Sequence, residues 1–194
     1  MSLFYNDEYK LLKTRLQEEI GRLDSNRQYY NKLISFLVIA EDHRYYHHPG
    51  FDVVGICRAI YRNLFFGRHE GASTIEQQLV RVLIGDYRYS YKRKIKEIYL
   101  ASKLRKLADK DTLAATYLTV ANYGTEYQRL SSILNKFGKN VQHNLDDDTC
   151  AEIVARLKYP EPRRYNDKRV RQIEARKRDI LGQVIQKDDN NERW

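Results

Sequence analysis

Residues 33–42 read LISFLVIAED, an apolar run broken by one serine and closed by two acids, Glu41 and Asp42. A helix with that sequence is apolar nearly all round, so it has to be buried on every side. The run therefore predicts a core helix over 28–40 in an all-helical molecule. Upstream, residues 6–24 form a charged amphipathic pattern with Leu12, Leu16, Ile20 and Leu23 on one stripe. Downstream, residues 41–50 are polar and aromatic and end on Pro49 and Gly50, which reads as a loop.

Further helical patterns cover 52–66, Ser73 to Gly85, 90–107, 110–121, 127–136, 148–158 and 167–187. Ser73 with Glu76 three residues on reads as a capping box that opens its helix. Residues 67–72 read as a loop, with Gly71 giving the backbone freedom to turn. Asn122 with Gly124, and Pro160 with Pro162, mark stops. No stretch alternates strongly enough to predict a strand.

The chain has 194 residues, 42% of them apolar, and a net charge of +9 from 35 basic and 26 acidic side chains. It is too apolar to be disordered. Its charge favours anionic partners. Cys57 and Cys150 lie far apart, show no metal-ligand spacing, and are each expected to be buried and inert. No run is long and apolar enough for a transmembrane helix, and the N-terminus reads as no secretory signal.

Three clusters carry chemistry. Glu41 and Asp42 stand at the rim of an apolar wall, where a carboxylate's charged form is disfavoured, the direction a working base needs. His48 follows, and its expected role is to order the loop by a hydrogen bond. Ser73 and Thr74 sit at a helix N-terminus, which suits an anionic oxygen, with Gln77, Gln78 and Arg81 in the next two turns. Arg93, Lys96 and Glu97 share one helix side, with Lys94 in the same turn and Lys103 a turn further on.

In this order the segments EDHRYYHHPG (41–50), GASTIEQQLVR (71–81), RKIKE (93–97) and KDTLAATYL (110–118), the last followed by Gly124, resemble the successive motifs of the peptidoglycan glycosyltransferases. This is the transglycosylase family of bifunctional penicillin-binding proteins and of monofunctional enzymes. The later segments FGK (137–139) and AEIVARLKYPEP (151–162), Tyr165 with Asn166, and the Arg-rich last helix are similar too. The motifs span about 33–181.

The resemblance implies a lysozyme-like helical fold with a large lobe and a small membrane-associated lobe. Residues 1–194 would form one domain, with 1–32 an N-terminal helical extension and 51–70 the small lobe. The basic, apolar segment 52–66 then reads as an interfacial helix rather than an ordinary packed one. The implied reaction polymerises lipid II with inversion. Glu41 would be the catalytic base, positioned by Asp42, and Glu97 the second glutamate, orienting the donor phosphates. Arg81, Arg93, Lys94, Lys96 and Lys103 would supply charge to the pyrophosphate, and Ser73, Thr74, Gln77 and Gln78 hydrogen bonds. A sugar-cleaving hydrolase needs an acid on the leaving oxygen, and a carboxylate among cations serves that role poorly.

No cofactor is required, and a divalent cation (Mg or Mn) at the pyrophosphate is left open. The implied partners are lipid II, the nascent glycan strand and a membrane surface, with cell-wall synthesis proteins as candidates and nucleic acid excluded. The expected location is the outer face of the cytoplasmic membrane if an anchor was removed, or the cytoplasm if the chain is complete. Glu76, Arg81, Val82, Ala115 and Thr119 stand where the family commonly has Thr, Lys, Asn, Glu and Asn. A weakly active or regulatory relative that binds lipid-linked precursor is the alternative reading.

Overall fold

A computed structural model describes residues 2–66 and 73–191. The expectations for Gly71 and for the loop and small-lobe end at 67–72 lie outside the described residues. Among the described residues, nine α-helices follow one another: α1 (Ser2–Gly21), α2 (Asn31–Glu41), α3 (Val53–Phe66), α4 (Ile75–Ile84), α5 (Tyr91–Leu104), α6 (Lys110–Val120), α7 (Leu130–Lys136), α8 (Asp147–Lys158) and α9 (Asp167–Asn191). No strand longer than an isolated bridge occurs among the described residues. The all-α expectation is borne out.

The chain divides into two compact units, Met1–Gly21 with Glu41–Tyr117, and Arg22–Ala40 with Leu118–Trp194. In the first, α4 packs on α5, and α1 packs on both. Leu12 and Leu16 are fully buried, as the stripe predicts, and Arg15 Nη1 donates to the Leu83 carbonyl at 2.5 Å, tying α1 to the end of α4. In the second, α8 packs on α9. Lys177 bridges Asp148 and Glu152, and buried Arg156 pairs with Glu152 and Glu161. The apolar run of α2 is buried through Leu33, Ile34, Phe36, Leu37 and Val38, and it delivers Glu41 as its last residue.

Two local expectations are corrected. The cap of α4 is Thr74, not Ser73: its Oγ1 accepts from Gln77 N at 3.3 Å and donates to the Gly50 carbonyl at 2.8 Å. Cys57 is exposed, while Cys150 is buried and its thiol pushed up to about 12 by burial. The reason lies in α3. Val53, Val54, Tyr61, Leu64 and Phe65 are exposed on this helix, Leu64 by 75%, so its apolar pattern does not mark a core contact.

Gly50 fixes the loop that follows Glu41. Its φ is +114°, and a Cβ there would meet the Ala101 carbonyl oxygen of α5 at 2.5 Å. Gly50→Ala combines a disfavoured backbone conformation with a clash against backbone, and should lower unfolding free energy by more than about 2 kcal/mol. Urea unfolding would measure the loss, and an unchanged midpoint would contradict this account.

Candidate active site

The site is built within the first unit, on α4 and α5, the segment from Glu41 to Gly50, and α6 from Lys110 to Tyr117. Asp42 is buried, and both its oxygens meet His48 Nε2, at 3.0 and 3.2 Å. Gly50 N–H donates to His48 Nδ1 at 3.2 Å, so the ring proton is on Nε2 and points at Asp42. This is the loop-ordering role expected of His48. Asp42 also accepts from Ile75 N–H at 3.3 Å. The carboxylate after Glu41 is thus tied to the first residue of α4.

From that helix start the next turns reach both carboxylates. Gln78 Nε2 donates to Glu41 Oε2 at 3.3 Å, and Gln78 Oε1 accepts from Tyr117 Oη at 2.6 Å. The phenol can only donate to the amide oxygen, which aims the amide nitrogen at Glu41. Burial, then the charge of Glu41, raises the Tyr117 pKa and keeps this donor protonated. One turn on, Arg81 grips Glu97 with a two-pronged fork, Nε at 2.9 Å and Nη2 at 3.2 Å. Gln78 and Arg81, three apart, lie on one helix face. That face connects the two acids.

Glu97 is only 2% exposed and sits among cations. Arg93 donates to it at 2.5 Å and Lys94 Nζ lies 3.8 Å away. Three cations face one carboxylate, an excess of two positive charges. Lys94 also donates to Ser73 Oγ at 2.8 Å and to Gln77 Oε1 at 2.6 Å. Burial first, opposed by Glu97, lowers the Lys94 pKa, with Arg81 and Arg93 adding to the shift. Gln77 Nε2 and Arg93 Nε are buried and make no hydrogen bond. Unmet donors of this kind cost free energy until an acceptor arrives.

Two expected members of the cation group are elsewhere. Lys96 turns away from Glu97 to Glu8 at 2.7 Å and Asp86 at 3.1 Å. Helical spacing alone set Lys96 beside Glu97, and the acids from α1 and the α4–α5 loop outbid that neighbour. Lys103 lies over the Tyr99 ring at 5.0 Å. Arg81, Arg93 and Lys94 meet at Glu97, and Ser73 and Gln77 accept from Lys94, while Thr74 caps α4 and Gln78 reaches Glu41.

Sequence reasoning missed three residues. Tyr117 and Lys110 lie inside the KDTLAATYL segment and Glu76 inside GASTIEQQLVR, where spacing alone gives none of them a partner. All three are buried. Lys110 Nζ bonds Glu76 and stands over the Tyr45 ring at 4.0 Å. Asp42, His48 and Glu76 bring three ligand atoms within 4.8 Å of one another, the one such cluster among the described residues. The Lys110 ammonium already supplies that cluster's cation.

The transglycosylase family defines the class: its sequence model matches residues 9–185, and the chain belongs to it. The match starts ahead of the quoted motifs and takes in most of α1. Among individual proteins, the chain is similar to penicillin-binding protein 1A of Clostridium perfringens (strain 13 / Type A), 34% identical over 146 residues, which are 72% of this chain and 22% of that protein. It is also similar to the monofunctional glycosyltransferase of Staphylococcus saprophyticus, 33% identical over 126 residues, 65% of this chain and 46% of that one. The matched stretch is therefore less than half the length of either relative.

Proposed function

We propose that this chain is a peptidoglycan glycosyltransferase that polymerises lipid II. The observation that carries the reading is the charge arrangement on α4 and α5. An excess of two positive charges surrounds an ordered carboxylate, with two buried donors unmet, and the same helix face leads to a second carboxylate held by an amide. A sugar diphosphate matches that excess in charge and in acceptors.

In this reading the growing glycan is the donor, its pyrophosphate bound by Arg81, Arg93, Lys94 and Gln77. Glu41 takes the proton from the 4-hydroxyl of the incoming sugar. That oxygen attacks the anomeric carbon from the opposite face, and the carbon–oxygen bond to pyrophosphate breaks with its electron pair leaving on phosphate. A single displacement inverts the centre. Glu97 holds the two arginines in place, and Asp42 holds the adjacent Glu41 by its bond to Ile75 N–H.

The surroundings of Glu97 do not fit a protein-held divalent ion. A single carboxylate already serves three cationic side chains there, so charge neutralisation falls to Arg and Lys. The exposed apolar side chains of α3, flanked by Arg58 and Arg62, suit a membrane interface where a lipid-linked donor resides. No helix among the described residues is long and apolar enough to cross a membrane.

The test is incubation with lipid II in detergent or vesicles and electrophoresis of the glycan formed, with and without EDTA. Polymer is expected in both. Failure to form polymer under either condition would overturn the reading, and polymer lost only with EDTA would overturn the metal-free form of it.

A further inference from the structure

Glu76 and Lys110 are unusual in this site: a fully buried carboxylate on α4 and an almost fully buried ammonium on α6. A buried cation needs an anion within reach. Two are available. Glu76 holds Lys110 directly, and the charge of Asp42 also acts on Lys110. Asp42 is already engaged with His48 and with Ile75 N–H, the latter its longest bond at 3.3 Å. An ammonium drawn onto Asp42 would compete first with that bond.

Burial disfavours the charged form of both partners, raising Glu76 and lowering Lys110, and one Glu76 oxygen is buried without a hydrogen bond. A pair retained against such costs is poorly explained by stability alone. Its geometry offers another account. Tyr45 anchors the α6 end of the arrangement, donating its hydroxyl to the Lys110 carbonyl at 2.8 Å while its ring lies under the ammonium.

We propose that Glu76 is a positioning residue for Glu41: it holds the Lys110 ammonium over Tyr45 and off Asp42, so that Asp42 keeps its bond to Ile75 N–H and Glu41 stays beside α4. Glu41 then meets Gln78 at the distance observed. The inference rests on the polymerase reading for its effect on turnover, but not for its effect on Asp42.

The experiment uses Glu76→Gln, Glu76→Asp and the double variant Glu76→Gln with Lys110→Met. Two signals are read in labelled protein: the ring-current shift of the Lys110 ε-methylene, and the shift and exchange rate of the Ile75 amide. Lipid II polymerisation is measured beside them. Glu76→Gln should lose the ring-current shift, speed exchange of the Ile75 amide, and lower kcat about tenfold or more with KM within about twofold. Glu76→Asp, which keeps the charge and is the safer variant to fold, should show the same changes in smaller degree. The double variant leaves no cation to draw Asp42 away, so the amide signal and most of kcat should return.

An Ile75 amide unchanged in Glu76→Gln and Glu76→Asp overturns the proposal. So does a double variant that regains stability without regaining the amide signal. If the unsubstituted protein makes no polymer, the functional reading falls, and the two spectroscopic signals still decide this inference.

Discussion

Glu41→Gln should lower the rate of polymer formation from lipid II by about a hundredfold to ten-thousandfold, the range for removing a positioned general base, with little change in KM. The substitution is nearly isosteric and keeps an oxygen that accepts from Gln78 Nε2, so the end of α2 and the amide bridge to Tyr117 stay in place. What disappears is the site that takes the proton of the attacking hydroxyl. Unfolding midpoints should stay close to one another, because the size and shape of the side chain are kept. Equal product from both proteins would remove Glu41 from the base role, and a loss seen only in KM would make it a binding group.

Glu97→Gln should behave differently, raising KM for the donor and lowering stability together. The carboxylate is 2% exposed and takes both prongs of Arg81 and one nitrogen of Arg93. Removing one partner of a buried pair costs about 3–5 kcal/mol, and the lower end applies here because the Arg81 side chain keeps 28% exposure and can reach water. The guanidinium groups then lose the anion that fixes their direction, and a diphosphate meets cations in the wrong places. Urea unfolding and initial rates against lipid II concentration measure the two effects. A stable Glu97→Gln with unaltered donor KM would show that the cations organise themselves without it.

These contrasting outcomes trace to how differently the two acids are legible in the sequence. Glu41 could be placed because LISFLVIA leaves no choice but burial, and the first acid after such a run must stand at its rim. Arg93 and Glu97 could be paired because four residues on a helix is one turn. Lys96 could not, since its acids come from Glu8, 88 residues away in sequence, and from Asp86. Glu76 was hidden for a related reason: an acid in the first turn of a helix reads as a solvated cap, and only the fold brings Lys110 to it. The change of cap from Ser73 to Thr74 shows the limit at short range, where two adjacent hydroxyls are equivalent until the Gly50 carbonyl selects one. Cys57 is exposed against its apolar surroundings in sequence, because apolar spacing predicts a covered face without saying what covers it.

The crowd of positive side chains around Glu97 has a thermodynamic consequence. Arg81, Arg93 and Lys94 repel one another across a partly dry space, and Glu97 offsets only one of their three charges. Anything that binds the native state alone shifts the folding equilibrium toward it. A diphosphate bound there would relieve that repulsion, so adding one should raise the melting temperature.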